Sequence, residues 1–118
     1  MSTPSIPHRG EIWQADLGDG TLTPVIVVSA NAFERLPIRL IAPLQPWEER
    51  FEQTIWIQRI EGRWPTRLGK PHAADLLRLR SIETRQMREL IGRVPATKMD
   101  EIAAAIAIVV DYDPTVRS

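Results

Sequence analysis

Cysteine is absent from this 118-residue chain, histidine occurs only twice, and the 15 Lys and Arg residues are balanced by 15 Asp and Glu. Without cysteine there can be no disulfide framework, thiolate zinc site or cysteine nucleophile. Neither His8 nor His72 stands at ligand spacing from a second histidine, so a function without metal or other cofactor is expected. No apolar run approaches the roughly 20 residues of a bilayer span; the stretch that includes Ala103–Val110 falls far short. Residues Met1–His8 lack the cationic start and apolar middle of a secretory signal, so a cytoplasmic protein with no membrane partner is expected.

What is present describes one domain. A chain of this size buries roughly two-thirds of its unfolded surface, enough for a single core without staples. The expected boundaries are a flexible segment at residues 1–8, one domain at 9–112 and a frayed tail at 113–118. Charge is unevenly spread: residues 59–93 carry nine cations against four acids, whereas 1–58 carry four against seven. Thirteen of the 15 cations are arginine, whose planar fork suits bidentate contact with phosphate. A solvated, arginine-rich face is the other reading of the same composition.

Alternation of apolar residues predicts most of the architecture. Ile12 to Leu17 alternates with period two and reads as a first strand. Leu17-Gly18-Asp19-Gly20 turns the chain into Pro24–Ser29, a β-branched run that reads as a strand buried on both faces. Ala30–Leu36 has room for a short helical turn. Ile38–Leu44 is a third strand stopped by Pro43 and Pro46, and Thr54–Gln58 a fourth. Glu61–Pro71, with two glycines and two prolines, is a loop or distorted strand. Ala73–Leu79 reads as a fifth strand, Ser81 as the cap of a short helix over Ile82–Gln86, and Glu89–Val94 as a sixth strand. Met99, Ile102, Ala103, Ile106, Val109 and Val110 recur at helical spacing behind a Thr97–Asp100 capping box, predicting a terminal amphipathic helix. The fold class is therefore α+β, a curled antiparallel sheet with one helix packed on a side.

The order of several segments carries a resemblance. Arg9-Gly10-Glu11-Ile12-Trp13, then Ala15-Asp16-Leu17, Pro24–Ser29 with Asn31, Ile41-Ala42-Pro43-Leu44, Leu77–Ile82 and Ile91-Gly92-Arg93-Val94 before a terminal helix together resemble the MazF/PemK (Kid-like) toxin family over nearly the whole chain. The resemblance implies a small SH3-like antiparallel β-barrel that dimerises, cleaves single-stranded RNA without a metal, and is neutralised by an antitoxin whose C-terminal segment fills the RNA groove. RNA carries its own nucleophile, the 2′-hydroxyl, so cleavage needs a base, an acid for the leaving 5′-oxygen and a cation for charge developing on phosphate. Most members place an arginine before the Pro-Val of the second strand and a threonine after the Pro-Leu of the third. Those positions are Thr23 and Gln45 here. The Kid-like acidic residue and arginine of the preceding strand fall on Leu77 and Asp75. A family member lacking these groups could instead bind RNA or an antitoxin-like peptide without cutting. The related gyrase-poison branch acts through an aromatic helix end, whereas this chain closes Pro114–Ser118.

Several residues are candidates for the chemistry. Thr23 and Gln45 can donate to a phosphate but carry no charge, and a neutral donor stabilises less than a charged one. Arg78 and Arg80, alternating with Leu77 and Leu79 and so sharing one face of a strand, are the candidates for the missing cation. Their alternative role is a solvated surface paired with Asp75 or Glu83. For RNA binding the candidates are Arg9 at the opening of the first strand, Thr21 in the turn before the second, Trp47 in the loop after the third, and Arg63 with Trp64, where an indole could stack on a base. Trp13 and Trp56 read as core or dimer-interface residues.

Overall fold

The computed structural model describes residues 6–63 and 65–113. Seven strands form one antiparallel sheet: β1 (Glu11–Asp16), β2 (Leu22–Val27), β3 (Ile38–Pro46), β4 (Ile57–Ile60), β5 (His72–Asp75), β6 (Arg80–Glu83) and β7 (Met87–Arg93). The helix α1 (Ala96–Val109) follows. The strands lie in the order β4-β5-β3-β2-β1-β7, with β6 paired to β3 outside that path. The expected antiparallel sheet with one terminal helix is what forms.

Alternation sorts the side chains to two faces. On one, Ile12, Ile26, Ala42, Leu44, Ala74 and Ile91 meet Met99, Ile102 and Ala105 of α1 in the larger core. On the other, Trp13, Ala15, Val25, Val27, Ile41, Ile82 and Met87 form a second cluster, and Phe51, Ile57 and Ala73 a third beside it. Trp13 is thus core, and its indole Nε1 donates to Glu11 Oε1 at 3.1 Å.

Four local expectations are corrected. The single strand over Ala73–Leu79 is instead β5, a 3-10 turn over Leu76–Arg78, and β6. The Asp75 side chain accepts the Leu77 N–H at 3.0 Å, which bends the backbone off the strand. Ser81 caps no helix but lies inside β6; the 3-10 turn over Thr84–Gln86 is capped by Glu83, whose N–H bonds the Gln86 side chain at 2.8 Å. The β4 strand begins after Trp56, which is exposed, and His72 opens β5 with Nδ1 2.9 Å from the Lys70 carbonyl oxygen. The helix α1 starts behind Pro95 with no side-chain cap, and Ala103 and Val110 stay exposed while Ala105 is buried.

Pro43 does not end β3. On the edge away from β2, β3 pairs β6 through Ile41 and β5 from Leu44 onward. Alternation of the ladder from the Val28 N–H to Leu40 C=O bond of 2.9 Å points the position-43 nitrogen to that edge, where no partner strand lies. The absent N–H is therefore not missed.

Candidate functional site

Pro24 decides how the sheet opens at the positions singled out above. The β2–β3 ladder runs from Val27–Ile41 to Val25–Pro43 and stops. The next hydrogen-bonded rung would need a donor at residue 24, which proline lacks. Continuing the same register by two residues sets Thr23 across from Gln45, where no ladder bond draws the strands together.

Both side chains belong to the face away from α1. Thr23 alternates with Val25 and Val27, and Gln45 with Ile41; each is half-buried, at the junction of the second and third clusters. Their flanking neighbours in register are Ala15 on β1 and Ala73 on β5, both fully buried. Small residues on either side leave the two polar groups standing in a shallow row across β1, β2, β3 and β5.

Asp75 lies on this same face, two residues along β5 from Ala73, about 7 Å at the strand rise. Sequence reasoning weighed it as a counter-ion and as a position where a Kid-like functional residue is replaced. Its carboxylate takes Arg78 Nε at 3.3 Å as well as the Leu77 amide. Arg78 is otherwise well exposed. Arg80 is separated from it by the end of the 3-10 turn and opens β6 opposite Ile41. The expectation that the two arginines share one strand face fails, because they occupy different elements. Arg80 is exposed and has no ion pair among the described residues. The signal that could have found Asp75 was its spacing of three from Arg78 in an Asp-Leu-Leu segment, a common Asx turn.

The other candidates are scattered. Thr21 is held by Asp19, whose Oδ1 accepts its amide at 3.1 Å and its hydroxyl at 3.0 Å. Those bonds, the amide first, hold the Asp19 carboxyl below its ordinary pKa. Trp47 is half-buried, edge-on to Phe51 with ring centroids 5.7 Å apart, and Arg59 covers its ring at 5.1 Å. The neighbouring Glu48 is paired with Arg50. Arg9 and Arg63 lie at the other end of the sheet, beside α1. Trp64 lies outside the described residues.

Sequence reasoning also missed a cluster ahead of β1. His8 lies 3.5 Å from Glu34 and 3.9 Å from Glu11, and Arg39, buried, ties this region down. Its guanidinium donates to the carbonyl oxygens of Pro7, Glu34, Leu36 and Ile38 at 2.8 to 3.0 Å. Among the described residues no group of three His, Asp or Glu side chains could hold a metal ion, and no helix is long and apolar enough to cross a membrane.

Known proteins share this fold. In structure the chain resembles the Mycobacterium tuberculosis toxin MazF-mt6, with 18% identity, a TM-score of 0.74, and 87% of this chain and 98% of that one covered. A MazE-MazF structure from Deinococcus radiodurans aligns at a TM-score of 0.75 with 16% identity, over 93% of this chain and all of the other. A mycobacterial endoribonuclease in complex with its cognate antitoxin aligns at 0.73 with 19% identity, covering 91% and 97%. At these identities the likeness is one of fold. No curated protein matches the chain by sequence. The family model for the PemK-like, MazF-like toxin of type II toxin-antitoxin systems matches residues 8–110. Spanning nearly the whole domain, that match together with the shared fold places the chain in the PemK/MazF toxin family.

Proposed function

We propose that this protein is the toxin of a toxin-antitoxin pair and a metal-independent endoribonuclease that cleaves single-stranded RNA through its 2′-hydroxyl. The observation that carries the reading is the grouping, on one sheet face, of the opened Thr23–Gln45 pair with the Asp75–Arg78 pair. In this reading Thr23 and Gln45 donate to the phosphate. Asp75 is the carboxylate available to take the 2′-hydroxyl proton, and Arg78 supplies the charge that faces the developing phosphorane. Arg80, unpaired on the adjacent strand, is the second candidate for that charge. A preorganised cation aimed at transition-state charge is commonly worth two to three orders of magnitude in rate.

The family suggests the partners. An antitoxin segment would compete with RNA for the same face. A second copy of the chain would cover the exposed apolar residues Ile55, Trp56 and Leu77, which the Leu76 N–H to Trp56 C=O bond of 2.8 Å draws together. Incubation of the purified protein with a long RNA in EDTA tests the activity: defined fragments support it, and intact RNA at enzyme excess rejects it.

A second reading is favoured by one observation, that Thr23 and Gln45 are both uncharged and Arg78 is already engaged by Asp75. A protein of this kind would bind RNA or an antitoxin-like peptide without cutting. Salt-dependent RNA binding with no fragments would support this reading over the first.

A further inference from the structure

Most arginines of this chain are spoken for. Arg50, Arg59, Arg78, Arg85 and Arg88 each face a carboxylate, Arg39 is consumed by backbone carbonyls, and Arg67 donates to the Leu90 carbonyl oxygen at 2.6 Å. Arg9, Arg63 and Arg93 form no side-chain hydrogen bond or ion pair among the described residues, and they gather at one end of the molecule.

Arg93 is the meeting point. It lines a pocket of about 330 Å³ together with Arg63, and a second groove, on the other side of the Val94-Pro95 segment, together with Arg9. The acids nearby are all engaged elsewhere. Glu11 stands opposite Arg93 in the β1–β7 register, yet its carboxylate accepts from the His8 amide at 2.7 Å and the Trp13 indole at 3.1 Å. Glu61 pairs with Arg59 at 3.0 Å, and Glu101 with Lys98 at 2.7 Å. The loop that carries Arg63 is fixed, because the Thr66 hydroxyl bonds the carbonyl oxygens of Glu61 and Arg63 and Thr66 bridges to Gly92. The helix α1 starts between the two grooves with no acidic residue in its first turn, which adds to the positive potential.

We infer that Arg9, Arg63 and Arg93 form a phosphate-binding track for the backbone of a single RNA strand, set apart from the Thr23–Gln45 face. The inference rests on the RNA reading above and deepens it. Net charge is zero, so the chain exerts little overall pull on a polyanion and local guanidiniums decide where one lies. RNA is favoured over an acidic peptide because unpaired arginines on both sides of a narrow ridge suit a continuous, evenly charged backbone. The track binds and does not cut, so it acts on affinity and leaves the chemical step alone. It is more than 10 Å from Thr23: Glu11, beside Arg93, is four residues along β1 from Ala15, about 13 Å at the strand rise.

The test measures binding of a labelled single-stranded RNA oligonucleotide to the full chain as a function of salt. Arg9→Ala, Arg63→Ala and Arg93→Ala are made singly and together, Arg50→Ala serves as the control of an engaged arginine, and thermal melts verify folding. Each contacted phosphate contributes about −0.7 to the slope of log affinity against log salt for a single strand. The triple variant should therefore be shallower by about 2, so that between about 50 and 200 mM salt the wild type loses roughly 20-fold more affinity than the variant does. Arg93→Lys should keep most of the slope, and Arg50→Ala all of it. Wild-type binding with an unchanged slope in the triple variant overturns the track and leaves the proposed function standing. No RNA binding by the wild type overturns both. Preference for a poly-glutamate peptide through the same three residues overturns the assignment to RNA.

Discussion

Arg78 Nε lies 3.3 Å from Oδ2 of Asp75, three residues earlier in the chain and on the turn that separates β5 from β6. The Arg78 side chain is 73% exposed and that of Asp75 only 13%. With its arginine arm in solvent, the ion pair is worth about 0 to 1 kcal/mol to folding. Substitution of the exposed Arg78 reports on chemistry with little effect on stability, whereas Asp75 also holds the turn through the Leu77 amide. Arg78→Ala should lower single-turnover RNA cleavage by about 100-fold while moving the melting temperature little. Asp75→Asn should also slow cleavage in the same assay. Equal cleavage by both variants and the wild type would move the chemistry to Arg80.

At Gly92 the chain passes close against its own backbone. A Cβ there would lie 2.5 Å from the Pro65 carbonyl oxygen and 2.6 Å from Thr66 Cα, both backbone atoms that cannot swing aside. Gly92→Ala should destabilise the fold by about 1–3 kcal/mol, the range for overpacking. Chemical denaturation measures it. Because the Thr66–Gly92 bridge also fixes the loop that carries Arg63, hydrogen exchange over residues 61–71 should rise in the same variant.

Arg39 is buried, and its guanidinium satisfies four carbonyl oxygens from two separate stretches of chain, Pro7 and residues 34–38. Truncation would leave those acceptors without donors. Arg39→Ala should cost about 2–4 kcal/mol, and Arg39→Lys should recover only part, since an ammonium cannot reproduce the planar fork. Denaturant unfolding of the three proteins checks the order wild type, Lys, Ala.

Asp19 sets a pH dependence in the turn before β2. Its folded pKa lies below the ordinary carboxyl value of 3.8 because the Thr21 amide and hydroxyl donate to the ionised carboxylate. A carboxyl depressed in the folded state favours folding above its unfolded pKa, and that contribution fades as pH falls through the folded value. The carboxyl carbon of Asp19, followed by NMR, should titrate below 3.8 in the wild type and return toward it in Thr21→Val.

Much of this molecule can be read in the sequence, and the failures share a cause. The β-branched run after Pro24 and the stripe of Met99, Ile102 and Ile106 at spacings of three and four announce β2 and α1 because each element buries a face set by its own periodicity. The segment Asp75–Arg80 misleads, since Leu77 and Leu79 alternate with arginines as strand residues do. In the fold Leu76 is buried and Leu77 is 62% exposed, a phase dictated by the Asp75 side chain and not by alternation. Pro43 misleads in the other direction: whether its missing N–H matters depends on which strands flank β3, a tertiary fact. At the site, Thr23 and Gln45 were legible as a pair only through the order of motifs. Asp75 becomes part of the same face once the register of β3 and β5 is known. The grouping of Arg9, Arg63 and Arg93 has no sequence signature, because the three come from segments brought together only by folding.

The account depends on the RNA attacking itself, with no metal, the protein supplying a base and a cation and solvent the proton for the leaving 5′-oxygen. An RNA cleaved by the wild type in EDTA should therefore be remade with a single 2′-deoxy nucleotide at the mapped cleavage position. Fragments with 5′-hydroxyl ends from the all-ribose strand, and an uncut strand after the deoxy substitution, are the predicted result. Cutting that persists at the deoxy position, or that requires a divalent cation, would contradict it.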